Sequence, residues 1–290
     1  MDQALADDRP PTKPFKTQLL KWVGSKQKFA HEIIARFPRR FGAYHEPFLG
    51  AGGVMAVLAP PQAFGSDTFG PLIEIFQTLR RDPTRVTGWY AERLAFYRAG
   101  DRVERYEAIK ARYNATPNGA DFLFLCRACY GGVVRFRRRD GHMSTPIGAH
   151  EPMPVQSFAR RVDLWAARLA GAEFARRDYR EAMARARPGD LVYCDPPYSF
   201  SQSILYGAQS FRLEDLLTEI EACKARGVMV ALSIDGSKKS GDQTCDLAFP
   251  PGLFAREFRV NLGRSMLKRF QMEGRTLEGE QVSDRLMLSY

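Results

Sequence analysis

Two runs of consecutive apolar residues place the strongest constraint on how this chain can fold. They are Leu191–Cys194 and Val228–Ser233. A strand that is apolar on both faces must be covered on both sides, which is typical of a parallel sheet flanked by helices. Between the two runs, Leu213, Leu216 and Leu217 lie on one face of a predicted helix. The carboxyl-terminal half is therefore expected to contain a parallel α/β unit.

The amino-terminal part shows the same order of elements. We predict a strand over Ala43–Phe48, a glycine-rich turn at Leu49–Gly53 and a short helix over Val54–Leu58. A second strand is predicted at Gln62–Asp67, and Gly70 begins another helix. A strand, a turn, a helix and a further strand in succession form a second parallel α/β unit.

Further strands complete the predicted sheet. Ala172–Phe174 is a candidate strand. Apolar residues alternate near the end of the chain at Phe258, Val260 and Leu262, and again at Leu286, Leu288 and Tyr290. The alternation predicts an antiparallel pair of strands that closes one edge of the sheet.

Residues 83–169 interrupt this α/β pattern. They contain a charged helical stretch, an apolar helix and then a β-favouring run, Val133–Arg139, that leads into Asp140-Gly141. Asp-Gly after such a run predicts a β-hairpin. We therefore expect a flexible tail at 1–17, a catalytic α/β domain formed by 18–82 and 170–290, and an inserted domain at 83–169.

Composition limits the classes of function. The chain has 43 Lys and Arg against 33 Asp and Glu, and this net charge of +10 favours a polyanionic partner. No apolar run approaches the roughly 18 residues of a membrane span, and the first twelve residues lack the apolar core of a secretory signal. Five scattered cysteines form no disulfide framework. We expect a cytoplasmic, nucleoid-associated protein with no membrane partner.

The glycine-rich turn is a candidate cofactor site. Phe48, Gly50, Ala51 and Gly52 follow a predicted strand, where glycines let the backbone approach a nucleotide-like ligand. The dinucleotide fingerprint requires a third glycine where Met55 stands, which disfavours NAD. The alternative is a tight turn with no ligand.

Asp67 and the segment around Trp22 add to this candidate site. Asp67 ends the second strand, where an acid can hold a ribose diol, or else cap the next helix. Trp22 and Lys26 flank a glycine turn and could form one wall of a cofactor pocket; the alternative is a hydrophobic anchor beside solvated lysines.

Asp195-Pro196-Pro197-Tyr198 carries the strongest catalytic signal. Open α/β sheets bind ligands beyond the carboxyl ends of their strands, and this motif follows a buried strand. The prolines restrict the backbone and lack N–H donors, which leaves the Asp195 carboxylate and the Pro196 carbonyl as acceptors. These acceptors suit an exocyclic amine, and Tyr198 offers a flat face to a planar base. A rigid turn with a surface tyrosine is the alternative.

Together these motifs resemble the Dam-type DNA adenine-N6 methyltransferases, an amino-methyltransferase family with an Asp-Pro-Pro-Tyr motif. That family carries Lys-Trp-x-Gly-Gly-Lys, Glu-Pro-Phe-x-Gly-Ala-Gly and Asp-Pro-Pro-Tyr in this order. The matching segments here are Lys21–Lys26, Glu46–Gly52 and Asp195–Tyr198. One departure is Asp67-Thr68-Phe69-Gly70-Pro71, where the family has Asp-x-Asn-Pro.

The resemblance implies a Rossmann-like sheet that uses S-adenosylmethionine (SAM), with an inserted helical and β-hairpin target-recognition domain. It also implies that Trp22, Lys26, Asp67 and Asp195 line the cofactor. The expected reaction moves a methyl group to the N6 amine of an adenine flipped out of double-stranded DNA, with Asp195, Pro196, Pro197 and Tyr198 at the catalytic centre. Cytosine N4 methylation and a catalytically silent DNA-binding relative are the alternatives, and a methyltransferase acting on RNA or on a side-chain amide is a remote third.

The inserted domain then becomes the expected DNA reader. Its arginines are Arg127, Arg135, Arg137, Arg138 and Arg139. A two-stranded ribbon with a basic tip fits the major groove, whereas the alternative is a solvated basic loop. A second basic segment contains Arg264, Lys268, Arg269 and Arg275. A cognate restriction endonuclease is an expected partner if the enzyme serves a restriction–modification system.

No metal site is expected. Cys126 and Cys129 lie three residues apart in an apolar helix, with no second pair of cysteines or histidines at zinc spacing. We interpret them as buried thiols.

Overall fold

The computed structural model describes residues 12–197, 211–235, 237–238, 243–244, 249–263 and 282–290. Its strands are β1 (Tyr44–Glu46), β2 (Ala63–Asp67), β3 (Ala172–Arg176), β4 (Leu191–Cys194), β5 (Met229–Asp235), β6 (Ser237–Lys238), β7 (Gln243–Thr244), β8 (Arg256–Gly263) and β9 (Val282–Leu288). Strands β6 and β7 form a sheet of two, and the remaining described strands form one sheet of seven.

The large sheet has the order β3-β2-β1-β4-β5-β9-β8. Strands β1 to β5 are parallel, while β9 runs antiparallel to both β5 and β8. The predicted parallel units and the antiparallel pair at the edge are therefore confirmed, and β8 is the outermost strand. The order reverses between β1 and β4, and open α/β sheets bind ligands at such a switch point.

Nine α-helices lie within the described residues. They are α1 (Ala30–Ile34), α2 (Gly53–Leu58), α3 (Gly70–Arg81), α4 (Pro83–Arg98), α5 (Arg102–Ala115), α6 (Gly119–Ala128), α7 (Val155–Arg168), α8 (Tyr179–Ala184) and α9 (Leu213–Ala225). None of these helices is long and apolar enough to cross a membrane.

Helix α3 shows how the sequence produces these elements. Pro71 occupies its first turn, where a missing N–H costs nothing, and Leu72, Ile75 and Phe76 form a buried face toward the sheet. Asp82 follows α3 and accepts the amide of Arg85, which caps α4.

Helices α4 to α7 correspond to the predicted insertion and pack onto the sheet through α3 and α6. Every residue of α6 is buried, and its apolar residues join the sheet in one hydrophobic core. Buried Asp121 accepts from Arg93 Nε at 2.9 Å and from Arg112 Nε at 2.7 Å, while Asn118 Nδ2 lies 3.0 Å away. The insertion thus extends the core of the sheet and has no separate core of its own among the described residues.

Residues before the predicted boundary at residue 18 already pack into the fold. Phe15 is buried against Trp165, with 5.9 Å between the ring centroids. The Thr17 carbonyl accepts from Trp165 Nε1 at 2.7 Å and from Gln27 Nε2 at 2.9 Å. These contacts fasten the end of the predicted tail to α7.

The predicted hairpin is a turn with one isolated bridge and not a continuous two-stranded ladder. We call Val133–Thr145 the basic turn. It contains one antiparallel bridge, between Phe136 and Met143. The Arg135 amide donates to the Thr145 hydroxyl at 2.8 Å instead of to a facing strand, which interrupts the ladder. Gly141 has a φ of 68°, as the Asp-Gly signal predicts for a tight reversal.

Candidate active site

A cavity of about 310 Å³ lies where the sheet order reverses, beyond the carboxyl ends of β1, β2 and β4. Most of the predicted site residues line it, namely Trp22, Lys26, Phe48, Gly50, Ala51, Asp67, Asp195, Pro196 and Pro197. Tyr198 lies outside the described residues. Motifs that are up to about 170 residues apart in sequence therefore meet at one edge of the sheet, as parallel strands require.

Gly52 differs from the other predicted cofactor residues because it does not line the cavity. It has a φ of 63°, and a Cβ at this position would lie 3.1 Å from the ring of Phe76. Gly52 also precedes α2 as its N-cap. Gly52 thus forms the turn between two lining residues, Ala51 and Gly53, and its contact with a cofactor stays a prediction.

Asp67 connects the two segments that follow β1 and β2. Its carboxylate accepts from the amides of Gly50 and Phe69, both at 3.0 Å. Burial raises its pKa, although these two hydrogen bonds oppose the shift. Each carboxylate oxygen can accept further hydrogen bonds, so Asp67 can support the turn and still hold a ligand hydroxyl.

Lys26, which lines the cavity, forms ion pairs with two acids. Its Nζ lies 3.0 Å from Asp195 Oδ1 and 3.2 Å from Asp284 Oδ2. Burial alone would lower the pKa of Lys26, but the charges of Asp195 and Asp284 outweigh it and raise the pKa above its usual value. The ammonium therefore stays charged and holds the carboxylate of Asp195, which directly follows β4. The role of Asp284, which belongs to β9, was not anticipated from the sequence.

Glu46 is a third buried acid at this edge. Its Oε2 accepts from Tyr44 Oη at 3.1 Å and from the Met55 amide at 3.0 Å. Burial, together with the negative charge of Asp195, raises the pKa of Glu46 to about 8. Glu46 ends β1 and is the first residue of the Glu46–Gly52 motif, but no role of its own was predicted for it from the sequence.

Aromatic rings form two walls of the cavity. On one side, the Trp22 ring lies 5.9 Å from Phe69, and Phe69 lies 5.6 Å from Phe136. On the other side, Phe48 stacks on Tyr179 at 5.1 Å and meets Phe211 edge-on at 5.8 Å.

Several lining residues were not among the predicted site residues, namely Phe69, Phe136, Asp178, Tyr179, Arg180 and Phe211. Asp178 and Tyr179 follow the end of β3, so the rule that ligands bind at strand ends could have identified them.

The basic turn holds four of the five predicted DNA-binding arginines. Arg135, Arg138 and Arg139 are exposed, while the guanidinium of Arg137 lies 3.0 Å from Asp140. The turn presents positive charge to solvent close to the cavity, because Phe136 in the same turn is one of the lining residues. The second basic segment, with Arg264, Lys268, Arg269 and Arg275, lies outside the described residues.

Arg127 does not belong with this group. It is buried in α6, and its guanidinium donates to the carbonyls of Leu19 at 2.7 Å and Gln18 at 3.2 Å. Its charged end lies 5.5 Å from the ring centroid of Phe158. Arg127 therefore fastens the amino-terminal segment to the helices, and the structure contradicts the prediction that it contacts DNA.

Metal ligands are not grouped in the described part of the chain, where no three His, Cys, Asp or Glu side chains could hold an ion together. Cys126 and Cys129 are buried, and burial raises the pKa of both thiols. They pack as apolar side chains.

Comparison with known proteins agrees with this geometry. Residues 22–239 match the model of the D12 class N6 adenine-specific DNA methyltransferases. A DNA adenine methylase of Vibrio cholerae is 26% identical over 74% of this chain and 79% of its own length. One from Serratia marcescens is 25% identical over 86% of this chain and 93% of its own. A type II methyltransferase of Lactococcus lactis is 24% identical over 75% and 80%, respectively.

Proposed function

Because this chain belongs to the D12 class of N6 adenine-specific DNA methyltransferases, we propose that it methylates adenine in double-stranded DNA with SAM as the methyl donor. One observation carries this proposal. The cavity gathers the Asp195-Pro196 acceptors, the Asp67 carboxylate and the Trp22–Lys26 segment within one site at the switch point of the sheet.

The residues around the cavity fit SAM. A volume of about 310 Å³ suits a nucleoside-sized ligand. Asp67 provides acceptors for ribose hydroxyls, and the aromatic walls provide apolar contact for a flat ring. Lys26 and the carboxylates that surround it suit the charged amino-acid portion. When bound, SAM supplies a methyl group activated by a sulfonium.

Asp195 and Pro196 are proposed to act on the target amine. The lone pair of an adenine amine is delocalised into the ring, which makes the nitrogen a poor nucleophile. Acceptors for both N–H groups favour a more pyramidal nitrogen and stabilise the positive charge that develops during attack. Lys26 holds one carboxylate oxygen of Asp195, which fixes the orientation of the acceptor.

The target base must leave the duplex to reach these acceptors. We assign stacking on that base to Tyr198, the last residue of the motif. The basic turn is proposed to hold the DNA beside the cavity, since Arg135, Arg138 and Arg139 are exposed there. Arginine can bind phosphates, or guanine in a bidentate manner, and the proposal includes both kinds of contact.

The cellular role follows from the substrate. We propose that the enzyme acts in the cytoplasm in association with the nucleoid, where its DNA substrate lies. The similarity to a type II methyltransferase supports a restriction–modification role, with a cognate endonuclease as its partner. The family match favours adenine over cytosine, and nothing in the comparisons supports a silent relative.

Substitution of the acceptor tests the proposed chemistry. Asp195→Ala should lower kcat by at least about 10²-fold, the usual cost of losing one stabilising group in a transition state. Lys26 keeps Asp284 as a partner at 3.2 Å, so the fold should survive. Single-turnover methylation with tritiated SAM measures the rate, and circular dichroism checks the fold. A folded Asp195→Ala protein that retains wild-type turnover would exclude this role.

A further inference from the structure

Phe136 lines the cavity, whereas the residue before it, Arg135, is exposed to solvent. It lies between Arg135 and Arg137 in the basic turn, where Arg135 is exposed. The ring of Phe136 is half-buried against the hydrophobic core and lines the cavity. One residue of the DNA-facing segment is thus also part of the cofactor pocket.

The backbone of Phe136 is tied into the basic turn. Phe136 forms the antiparallel bridge with Met143, and the next amide, from Arg137, donates to the His142 carbonyl at 2.9 Å. A displacement of the ring must therefore shift the backbone that carries the flanking arginines, or break these contacts.

On its other side, the ring contacts the cofactor wall. The centroids of Phe136 and Phe69 are 5.6 Å apart, at an interplanar angle of 62°. Phe69 in turn packs on Trp22 and donates its amide to Asp67 at 3.0 Å. Phe136 is therefore one aromatic contact away from two residues proposed to hold SAM.

We propose that Phe136 is a positioning residue that couples occupancy of the cofactor pocket to the DNA affinity of the basic turn. This inference rests on the proposed function. A cofactor that packs against Phe69 and Phe136 holds the turn in its DNA-binding position. By linkage, DNA bound to the turn must strengthen cofactor binding by the same factor.

Binding measurements in both directions test the coupling. The ligands are S-adenosylhomocysteine, which cannot donate a methyl group, and a fluorescently labelled, unmethylated DNA duplex that contains the sequence methylated by the enzyme. For the wild type, each ligand should tighten binding of the other by about fivefold or more. Phe136→Ala should bring both factors close to one, whereas Phe136→Tyr keeps the ring and should retain the coupling.

Arg139→Ala is the matched control, because Arg139 lies on the same turn with its side chain 75% exposed. It should weaken DNA binding equally with and without S-adenosylhomocysteine and leave the coupling factor unchanged. Thermal unfolding verifies that each variant is folded, and Phe136→Leu replaces the alanine variant if the latter does not fold. Leucine also lacks the ring, and it should likewise lower the factor.

A wild-type factor of one overturns the coupling, and so does a factor that survives loss of the ring. In both cases the proposed function stands if the wild type still methylates adenine. If the wild type neither binds S-adenosylhomocysteine nor methylates DNA, the function and the coupling fall together.

Discussion

At the scale of single residues, a buried lysine and three buried or half-buried acids determine the electrostatics of the described site. Lys26 bridges Asp195 and Asp284 at 3.0 and 3.2 Å. Glu46 is buried at the same edge and bonds to neutral groups, Tyr44 and the Met55 amide. Burial and the nearby charge of Asp195 therefore favour its protonated form. At neutral pH, Glu46 contributes a neutral carboxyl group to the wall of the cavity.

This protonation has a consequence for stability. The pKa of Glu46 rises from 4.5 to about 8 on folding, so between these values the folded protein binds more protons than the unfolded chain. Its contribution to stability is complete below about pH 4.5 and is lost as the pH rises toward and through 8. The sign is thus opposite to that of an acid stabilised by a salt bridge.

Glu46→Gln should remove this dependence, because glutamine carries no charge and can still accept from Tyr44 and Met55. Relative to the wild type, the variant should gain at least about 1 kcal/mol of unfolding free energy between pH 6 and pH 8.5, which is close to the value of one pKa unit. Urea unfolding across this range, without cofactor or DNA, measures the difference. Parallel pH profiles for the two proteins would exclude a raised pKa.

At the scale of elements, the basic turn concentrates the charge proposed to face DNA. Asp140 lies 3.0 Å from the Arg137 guanidinium and 3.2 Å from that of Arg139, so part of the positive charge is balanced within the turn. These pairs are exposed, and such pairs contribute little to stability. The arginines can therefore exchange Asp140 for phosphates at low cost.

Replacement of Arg137, Arg138 and Arg139 by alanine should weaken DNA binding and flatten its dependence on salt. Each lost phosphate contact lowers the slope of log K against log salt by about 0.9, so the loss should lie between about one and three such steps. Titrations at several salt concentrations measure the slope. Arg187→Ala is the control, because this exposed arginine precedes the amino-terminal end of β4, whereas the cavity lies beyond its carboxyl end. An unchanged slope in the triple variant would exclude the turn as the reader.

Elements with a strong local pattern were predictable. The apolar runs identified β4 and β5, and the glycine-rich turn and Asp195-Pro196 lie at strand ends as expected. Arg127 was not predictable in this way. Every residue of α6 is buried, so the helix has no exposed face. Its sequence pattern therefore does not show whether an arginine within it is buried or reaches solvent.

Contacts between segments that are distant in sequence could not be predicted from local sequence patterns either. The Asp284–Lys26 pair depends on β9 lying next to β5, which only the assembled sheet determines. The sequence does indicate that Phe136 is buried, because this apolar residue alternates with Arg135 and Arg137. Its contact with Phe69, however, depends on how the insertion folds.

At the scale of the whole molecule, one sheet brings together the cavity proposed to hold SAM, the proposed acceptors at Asp195-Pro196 and the basic turn. The insertion shares its hydrophobic core with the sheet. The basic turn is therefore held against the cavity by continuous packing, so the proposed DNA-reading segment and the proposed catalytic site share one core among the described residues. The net charge of +10 is consistent with a polyanionic substrate.

The most direct test of the central claim is the identity of the methylated base. Plasmid DNA from a methylation-deficient host is incubated with the purified protein and SAM, digested to nucleosides and analysed by mass spectrometry. Our account predicts N6-methyladenine, formed by the wild type and formed at least about 10²-fold more slowly with Asp195→Ala. N4-methylcytosine as the product, or no methylated nucleoside from a folded protein that binds SAM, would contradict it.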